Sequence, residues 1–187
     1  MDARPLPRNL EASLRAALAD TPVVCLLGPR QCGKTTLARA LVPRYGYVTF
    51  DDGEVLALAR SDPNGFLAAL PDPVILDEIQ RVPELLRSLK LSVDQDRRPG
   101  RFLLTGSANL LLLPRLGDSL AGRMAILELH PLTVAEQERK EGGFLATWLA
   151  GKLKPELATA RRPPDPMTLA ARVVAGGFPE PLTRSPA

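Results

Sequence analysis

The chain is 187 residues long, 45% hydrophobic and 24% charged, which is enough for one well-buried α/β domain with a small appendage. Its net charge of +3 permits contact with nucleic acid, but no dense run of Lys and Arg indicates it. The single His excludes any metal site that needs several His ligands. Because we find no signal pattern and no apolar run of the roughly 20 residues that span a bilayer, we expect a cytoplasmic protein without membrane contact.

Short apolar runs alternate with helical spacings along most of the chain. The apolar runs predict five strands, over residues 23–27, 47–50, 74–76, 102–104 and 125–129. The helical spacings predict helices over 10–19, 35–41, 54–60, 66–70 and 84–93, and a Leu-rich helix that ends at about residue 120. Strands separated by helices imply βαβ units, and therefore a parallel sheet with right-handed crossovers.

The segment from Gly28 to Thr35 matches the phosphate-binding pattern G-x-x-x-x-G-K-[ST], the Walker A motif, without departure. It follows an apolar run and opens a helical pattern, which is the context that the motif requires. Gly28 and Gly33 let the backbone turn its N–H groups toward phosphate oxygens, and the next helix adds its positive dipole end. We expect Lys34 to reach the β- and γ-phosphates and Thr35 to bind Mg²⁺. The predicted nucleotide-binding residues are Gly28, Pro29, Arg30, Gln31, Cys32, Gly33, Lys34, Thr35 and Thr36.

A pair of acidic residues, Asp77 and Glu78, follows the apolar run 74–76 and resembles the Walker B element. In this interpretation Asp77 holds the Mg²⁺ shell, and Glu78 polarises a water molecule for attack on the γ-phosphate. We find no Asn/Thr-Lys-x-Asp motif of the kind that reads guanine, which favours adenine by default. The sequence therefore predicts ATP and Mg²⁺ as ligands.

Five motifs occur in order along the chain, at residues 27–36, 77–80, 104–107, 120–123 and 130–133. Together they resemble a bacterial and archaeal AAA+-like P-loop ATPase family, and residues 176–180 are similar to the start of that family's C-terminal domain of unknown function. The resemblance implies an α/β P-loop NTPase three-layer sandwich, in which helices flank a five-stranded parallel sheet of order 5-1-4-3-2. It also implies an ATPase core over residues 1–140. We expect residues 141–187 to be a helical, Pro-rich extension that starts a truncated C-terminal domain.

The resemblance suggests two further catalytic positions beside Glu78 and Lys34. Ser107 is the first choice for the polar residue called sensor 1, with Thr105 and Asn109 as lesser candidates; the alternative is a hydroxyl cap on the next helix. Arg123 matches the position of an arginine finger that reaches a neighbouring subunit's γ-phosphate, which implies a homo-oligomer. The alternative for Arg123 is a plain surface side chain.

The leading functional hypothesis is a Mg-dependent ATPase domain that acts as a switch or motor. An alternative is a nucleotide-dependent binding module for a protein or DNA partner, with negligible hydrolysis in isolation. A small-molecule P-loop kinase is a weaker alternative, because such kinases usually lack the acidic pair after Walker B.

Overall fold

The computed structural model describes residues 6–107, 120, 122–140, 148–152 and 166–183. The chain groups into two compact units, one formed by Leu10–His130 and the other by Met1–Asn9 together with Pro131–Ala187. The domain boundary expected after residue 140 stays a prediction, and most of the predicted Leu-rich helix lies outside the described residues. Within the described ranges, none of the helices combines the length and the apolar character that crossing a bilayer needs.

A five-stranded parallel sheet forms the centre of the Leu10–His130 unit. Its order is β2-β3-β4-β1-β5, which confirms the predicted order. The three central strands are buried along their whole length, as expected for continuous apolar runs that are covered on both faces. The strands are β1 (Val23–Leu27), β2 (Gly46–Thr49), β3 (Val74–Asp77), β4 (Phe102–Gly106) and β5 (Met124–Glu128).

Helices connect the strands from β1 to β4, and acidic residues cap two of these helices. The Asp52 carboxylate accepts backbone N–H groups of Glu54 and Val55 at 2.9 and 3.3 Å, which satisfies donors that a helix start leaves unpaired. Asp62 caps the next helix by accepting the Gly65 N–H at 3.0 Å. The described α-helices of this unit are α1 (Glu11–Asp20), α2 (Lys34–Leu41), α3 (Gly53–Ser61), α4 (Pro63–Ala69) and α5 (Leu85–Gln95), and a 3₁₀ turn spans Ile79–Arg81.

Two apolar clusters cover the two faces of the sheet. In β1, Val23, Cys25 and Leu27 belong to the cluster that includes residues of α3, α4 and α5. Val24 and Leu26 point to the other face and pack with residues of α1 and α2. This alternation follows from the period of two residues along a strand, and it produces the predicted three-layer sandwich with helices on both faces.

In the other unit, a buried carboxylate joins two distant segments of chain. Glu136 completes a capping box with Thr133 at the start of the helix Val134–Gln137. The same side chain accepts the backbone N–H of Asn9 at 2.7 Å and pairs with Arg8, whose side chain is only 7% exposed. Burial alone would raise the pKa of Glu136, but the backbone hydrogen bonds from Thr133 and Asn9 and the charge of Arg8 outweigh it and lower the pKa.

Candidate nucleotide-binding site

The Walker A segment forms the turn between β1 and α2. Gly33 has a φ of 97°, in the left-handed region, and stands directly before the first residue of α2. At Gly28 a side chain has no room, because an added Cβ would lie 2.2 Å from the carbonyl oxygen of Leu129. Both glycines are therefore required for steric reasons, and they place the loop at the end of β1 where the positive dipole end of α2 begins.

Lys34 is folded into this loop. Its side chain is buried, and the Nζ donates to the carbonyl oxygens of Gly28 at 3.0 Å and of Pro29 at 2.9 Å. The ammonium group thus lies within the turn whose backbone the motif uses to surround phosphates. The contact of Lys34 with the β- and γ-phosphates stays a prediction.

The remaining Walker A positions differ in exposure. Cys32 is fully buried, and its Sγ donates to the carbonyl oxygen of Leu129 at 3.4 Å, so it supports the loop from inside. Arg30, Gln31 and Thr36 are exposed. Gln31 has a φ of 62°, which shows that the loop turns sharply at a non-glycine residue as well.

Asp77 ends β3 and is surrounded by hydroxyl groups. The residue is 5% exposed. Its carboxylate accepts the Thr35 hydroxyl, which lies 3.0 Å from one oxygen and 3.1 Å from the other. Thr105, the residue before the last of β4, donates its hydroxyl to Oδ1, and Tyr47 of β2 donates to Oδ2 at 2.7 Å. Burial, and after it the hydrogen bond with Asp77, raise the pKa of Tyr47 to about 12.

These contacts test whether the residues present suit a magnesium ion. Mg²⁺ prefers hard oxygen ligands and is commonly held by one or two carboxylates with a hydroxyl and phosphates. The carboxylate of Asp77 and the hydroxyl of Thr35 lie in direct contact, so a cation between the loop and β3 can use both. The donor set therefore fits the ion that the motif implies.

Glu78 follows Asp77 in an unusual backbone conformation. Its φ is 59° and its ψ is 42°, which costs a residue with a side chain about 1–3 kcal/mol. The turn is held by the Glu78 N–H, which donates to the Thr105 Oγ1 at 3.3 Å. Thr105 thus contacts both acidic residues, through its hydroxyl proton and through its oxygen lone pair.

Gln80 connects Glu78 to the end of β4. Its side-chain Nε2 donates to the Glu78 carboxylate, and its Oε1 accepts the backbone N–H of Ser107 at 3.3 Å. Gln80 therefore connects Ser107, the predicted sensor 1, to Glu78, the predicted base, through one hydrogen bond at each end of its amide. The lesser candidate Thr105 makes the direct contacts, and Asn109 lies outside the described residues.

Arg123 is separated from these residues by the length of the sheet. It stands immediately before β5, whose first residue is in register with Val23 at the start of β1. The loop and Asp77 lie at the opposite, carboxyl ends of the strands. The Arg123 Nε donates to the Asp94 carboxylate at 2.5 Å. The structure therefore brings together Lys34, Thr35, Asp77 and Glu78, and it leaves Arg123 outside the site of its own chain.

Two contributors to the site were given no role by the sequence reasoning, Tyr47 and Gln80. Tyr47 lies on an edge strand that the apolar pattern identified, but nothing in its local sequence indicates a contact with Asp77. Gln80 stands two residues after Glu78, inside the motif at residues 77–80. Its polar side chain beside the buried Ile79 was the sequence feature that could have indicated its role.

The parallel sheet, the glycine-bounded loop at the end of β1 and the acidic end of β3 define a P-loop nucleotide-binding fold. A family model described as an AAA domain matches residues 20–138. Because this match covers more than half of the chain, the chain belongs to the AAA-domain family of P-loop ATPase-like proteins.

Individual relatives agree with this assignment. The uncharacterized proteins Mb2031c of Mycobacterium bovis and Rv2008c of Mycobacterium tuberculosis are each 42% identical over 159 residues, which cover 84% of this chain and 35% of theirs. The chain thus spans about a third of the length of these relatives. Among solved structures, the Walker-type ATPase PABY2304 of Pyrococcus abyssi matches with a TM-score of 0.53 and 20% identity, over 95% of this chain and 67% of that one. At this identity the likeness concerns the fold alone.

Proposed function

We propose that the Leu10–His130 unit binds ATP with Mg²⁺ and hydrolyses it. The observation that supports this most strongly is the contact between the two motifs: the Thr35 hydroxyl of the loop donates to the Asp77 carboxylate of β3. In P-loop NTPases a hydroxyl and a carboxylate in these positions hold the magnesium ion. The membership of the chain in the AAA-domain family adds independent support.

In the proposed complex, the residues of the loop bind and orient the triphosphate. The Lys34 ammonium exchanges its contacts with the Gly28 and Pro29 carbonyl oxygens for contacts with β- and γ-phosphate oxygens. Thr35 and Asp77 hold the magnesium ion, which when bound neutralises charge on those oxygens. The N-terminal end of α2 favours the same negative charge.

Glu78 is the proposed general base. Its carboxylate accepts a proton from a water molecule as the water oxygen forms a bond to the γ-phosphorus. The bond from that phosphorus to the bridging oxygen breaks, and the electron pair leaves with ADP, so the products are ADP and inorganic phosphate. A positioned base of this kind contributes typically about 10²–10⁴-fold to the rate.

A second candidate function is a nucleotide-controlled binding module that hydrolyses ATP only in an assembly. Two observations favour it. Arg123 stands at the edge of the sheet opposite the loop, so as a finger it would serve the site of a neighbouring copy and not its own. In addition, the chain spans 35% of its mycobacterial relatives, so the rest of such a protein has room for partner binding. In this candidate, self-association and hydrolysis are coupled.

The test combines nucleotide binding with single-turnover hydrolysis in the presence of Mg²⁺. We expect wild type to bind and cleave ATP, Lys34→Ala to lose binding, and Glu78→Gln to bind normally but to cleave about 10²–10⁴-fold more slowly. Arg97→Ala and Glu54→Gln are matched controls, because both side chains are exposed and neither residue belongs to the Walker A or Walker B motif. If Glu78→Gln cleaves at the wild-type rate, Glu78 is not the base.

Repeating the hydrolysis assay over a range of protein concentrations separates the two candidates. Catalysis by the isolated unit gives a rate that is proportional to protein concentration, whereas a finger supplied by a neighbour makes the rate rise faster than linearly. Arg123→Ala abolishes the faster rise and leaves nucleotide affinity unchanged. Binding without cleavage at every concentration would refute hydrolysis in both candidates and leave a module that only binds the nucleotide.

A further inference from the structure

Tyr47 makes a contact with the acidic end of β3 that the proposed catalytic scheme does not use. Its hydroxyl donates to the Asp77 Oδ2 at 2.7 Å, a normal length for a hydrogen bond to a carboxylate. Asp77 itself is 5% exposed, so water contributes little to orienting its carboxylate. The orientation is set by the side chains that donate to it.

Three hydroxyl groups donate hydrogen bonds to the two oxygens of the Asp77 carboxylate. Thr105 donates to Oδ1 from β4, and Tyr47 donates to Oδ2 from β2, on the other side of β3. Thr35 lies across both oxygens, at 3.0 and 3.1 Å. Thr105 and Tyr47, on the two neighbouring strands, therefore each donate to one carboxylate oxygen, and the Thr35 hydroxyl of the Walker A loop contacts both oxygens.

The Tyr47 ring is itself held in place. In the parallel register of β2 and β3, Thr49 is the partner of Asp77, and Tyr47 is the partner of Ile75. The Tyr47 side chain therefore reaches the Asp77 carboxylate by extending two residues along the sheet. The Arg39 guanidinium of α2 lies 4.7 Å from the ring centroid, within the range of a cation–π contact. Tyr47 thus connects the edge strand to the helix that follows the phosphate-binding loop.

We propose that Tyr47 is a positioning residue for magnesium, whose hydroxyl orients the Asp77 carboxylate so that Asp77 and Thr35 together hold the ion. This inference rests on the proposed function, in which Asp77 and Thr35 bind Mg²⁺. Groups that hydrogen-bond to a metal-binding side chain fix its orientation, and their loss typically costs about 10–100-fold in metal affinity. Without the hydroxyl, Oδ2 loses the donor that β2 supplies, and among the described residues only Thr35 and Thr105 still orient the carboxylate.

The experiment uses Tyr47→Phe, which removes one oxygen and keeps the ring and its contact with Arg39. Tyr45→Phe is a matched control, since Tyr45 is the other tyrosine of the chain and its hydroxyl lies beside Gly100, before β4 and away from the loop. Affinity for Mn²⁺, a paramagnetic substitute for Mg²⁺, is measured by electron paramagnetic resonance in the presence of ADP. No step of this measurement requires hydrolysis.

We expect Tyr47→Phe to weaken Mn²⁺ affinity by about 10–100-fold, while the affinity for ADP in the absence of metal stays within about twofold of wild type. Tyr45→Phe should change neither value. Equal Mn²⁺ affinity for wild type and Tyr47→Phe would overturn the positioning role, as would an equal loss in Tyr45→Phe.

An additional variant, Asp77→Asn, distinguishes failure of this inference from failure of the proposed function. If wild type binds Mn²⁺ with ADP, Asp77→Asn does not, and Tyr47→Phe matches wild type, the magnesium site stands and only the role of Tyr47 is refuted. If wild type and Asp77→Asn bind the ion equally, Asp77 is not a ligand, and both proposals are refuted.

Discussion

Thr105 provides a measurable test of the contacts at the acidic end of β3. Its side chain is fully buried, donates to the Asp77 carboxylate and accepts the Glu78 N–H at 3.3 Å. Thr105→Val keeps the shape and removes the hydroxyl, so both hydrogen bonds are lost together. A hydrogen bond to a charged group contributes about 1.5–3 kcal/mol, and a buried N–H without a partner costs about 1–3 kcal/mol.

Asp77 keeps its bonds from Thr35 and Tyr47, which reduces the first of these losses. We therefore expect Thr105→Val to lower the free energy of unfolding by about 3 kcal/mol, near the lower end of the summed range of about 2.5–6 kcal/mol. Urea unfolding of the nucleotide-free protein measures this change from the midpoint and slope of the transition. Thr105→Ser keeps the hydroxyl and removes one methyl group, so its loss should be only about 1 kcal/mol.

The comparison between the two variants decides the interpretation. If Thr105→Val is as stable as wild type, the hydroxyl does not support the strand end, and the contacts with Asp77 and Glu78 contribute nothing to folding. A loss in Thr105→Ser as large as that in Thr105→Val would show that the methyl group and not the hydroxyl is responsible.

Three further predictions concern other contacts. Gln80→Ala should accelerate hydrogen exchange of the Ser107 amide and slow single-turnover cleavage about tenfold. Gln95→Ala changes an exposed residue of α5 and should do neither. Unchanged exchange of the Ser107 amide would contradict its hydrogen bond with Gln80. The folded-state pKa of Glu136 is lowered, so its contribution to stability is complete above about pH 4.5 and is lost as the pH falls through the lowered pKa. Glu136→Gln removes this contribution and should flatten the acid side of the stability profile. Urea unfolding between about pH 3 and pH 7 measures that profile. Burial raises the pKa of Cys25 to about 12, so its thiol should resist a thiol reagent at about pH 8 until the protein is unfolded, and labelling of native Cys25 would contradict its burial.

The sequence alone determined the features that depend on local order along the chain. The continuous apolar runs predicted β1, β3 and β4, because central strands of a parallel sheet need apolar residues on both faces. The loop from Gly28 to Thr35 was also predictable, because the strand, the glycine-bounded turn and the helix that form it are contiguous in sequence. The strand order followed from resemblance to a family and not from periodicity, and the structure confirms it.

Only the tertiary structure decided which side chains meet. Asp77 lies 30 residues after Tyr47 and 28 residues before Thr105. The three side chains converge because β2, β3 and β4 are neighbours in a common register. The same register places Arg123 at the amino end of β5, away from the loop of its own chain, so its role as a finger to a neighbouring subunit stays a prediction. A one-dimensional pattern contains the identity and spacing of these residues, but their contacts depend on strand neighbours and strand direction, which are set when the whole sheet packs between its two helical layers.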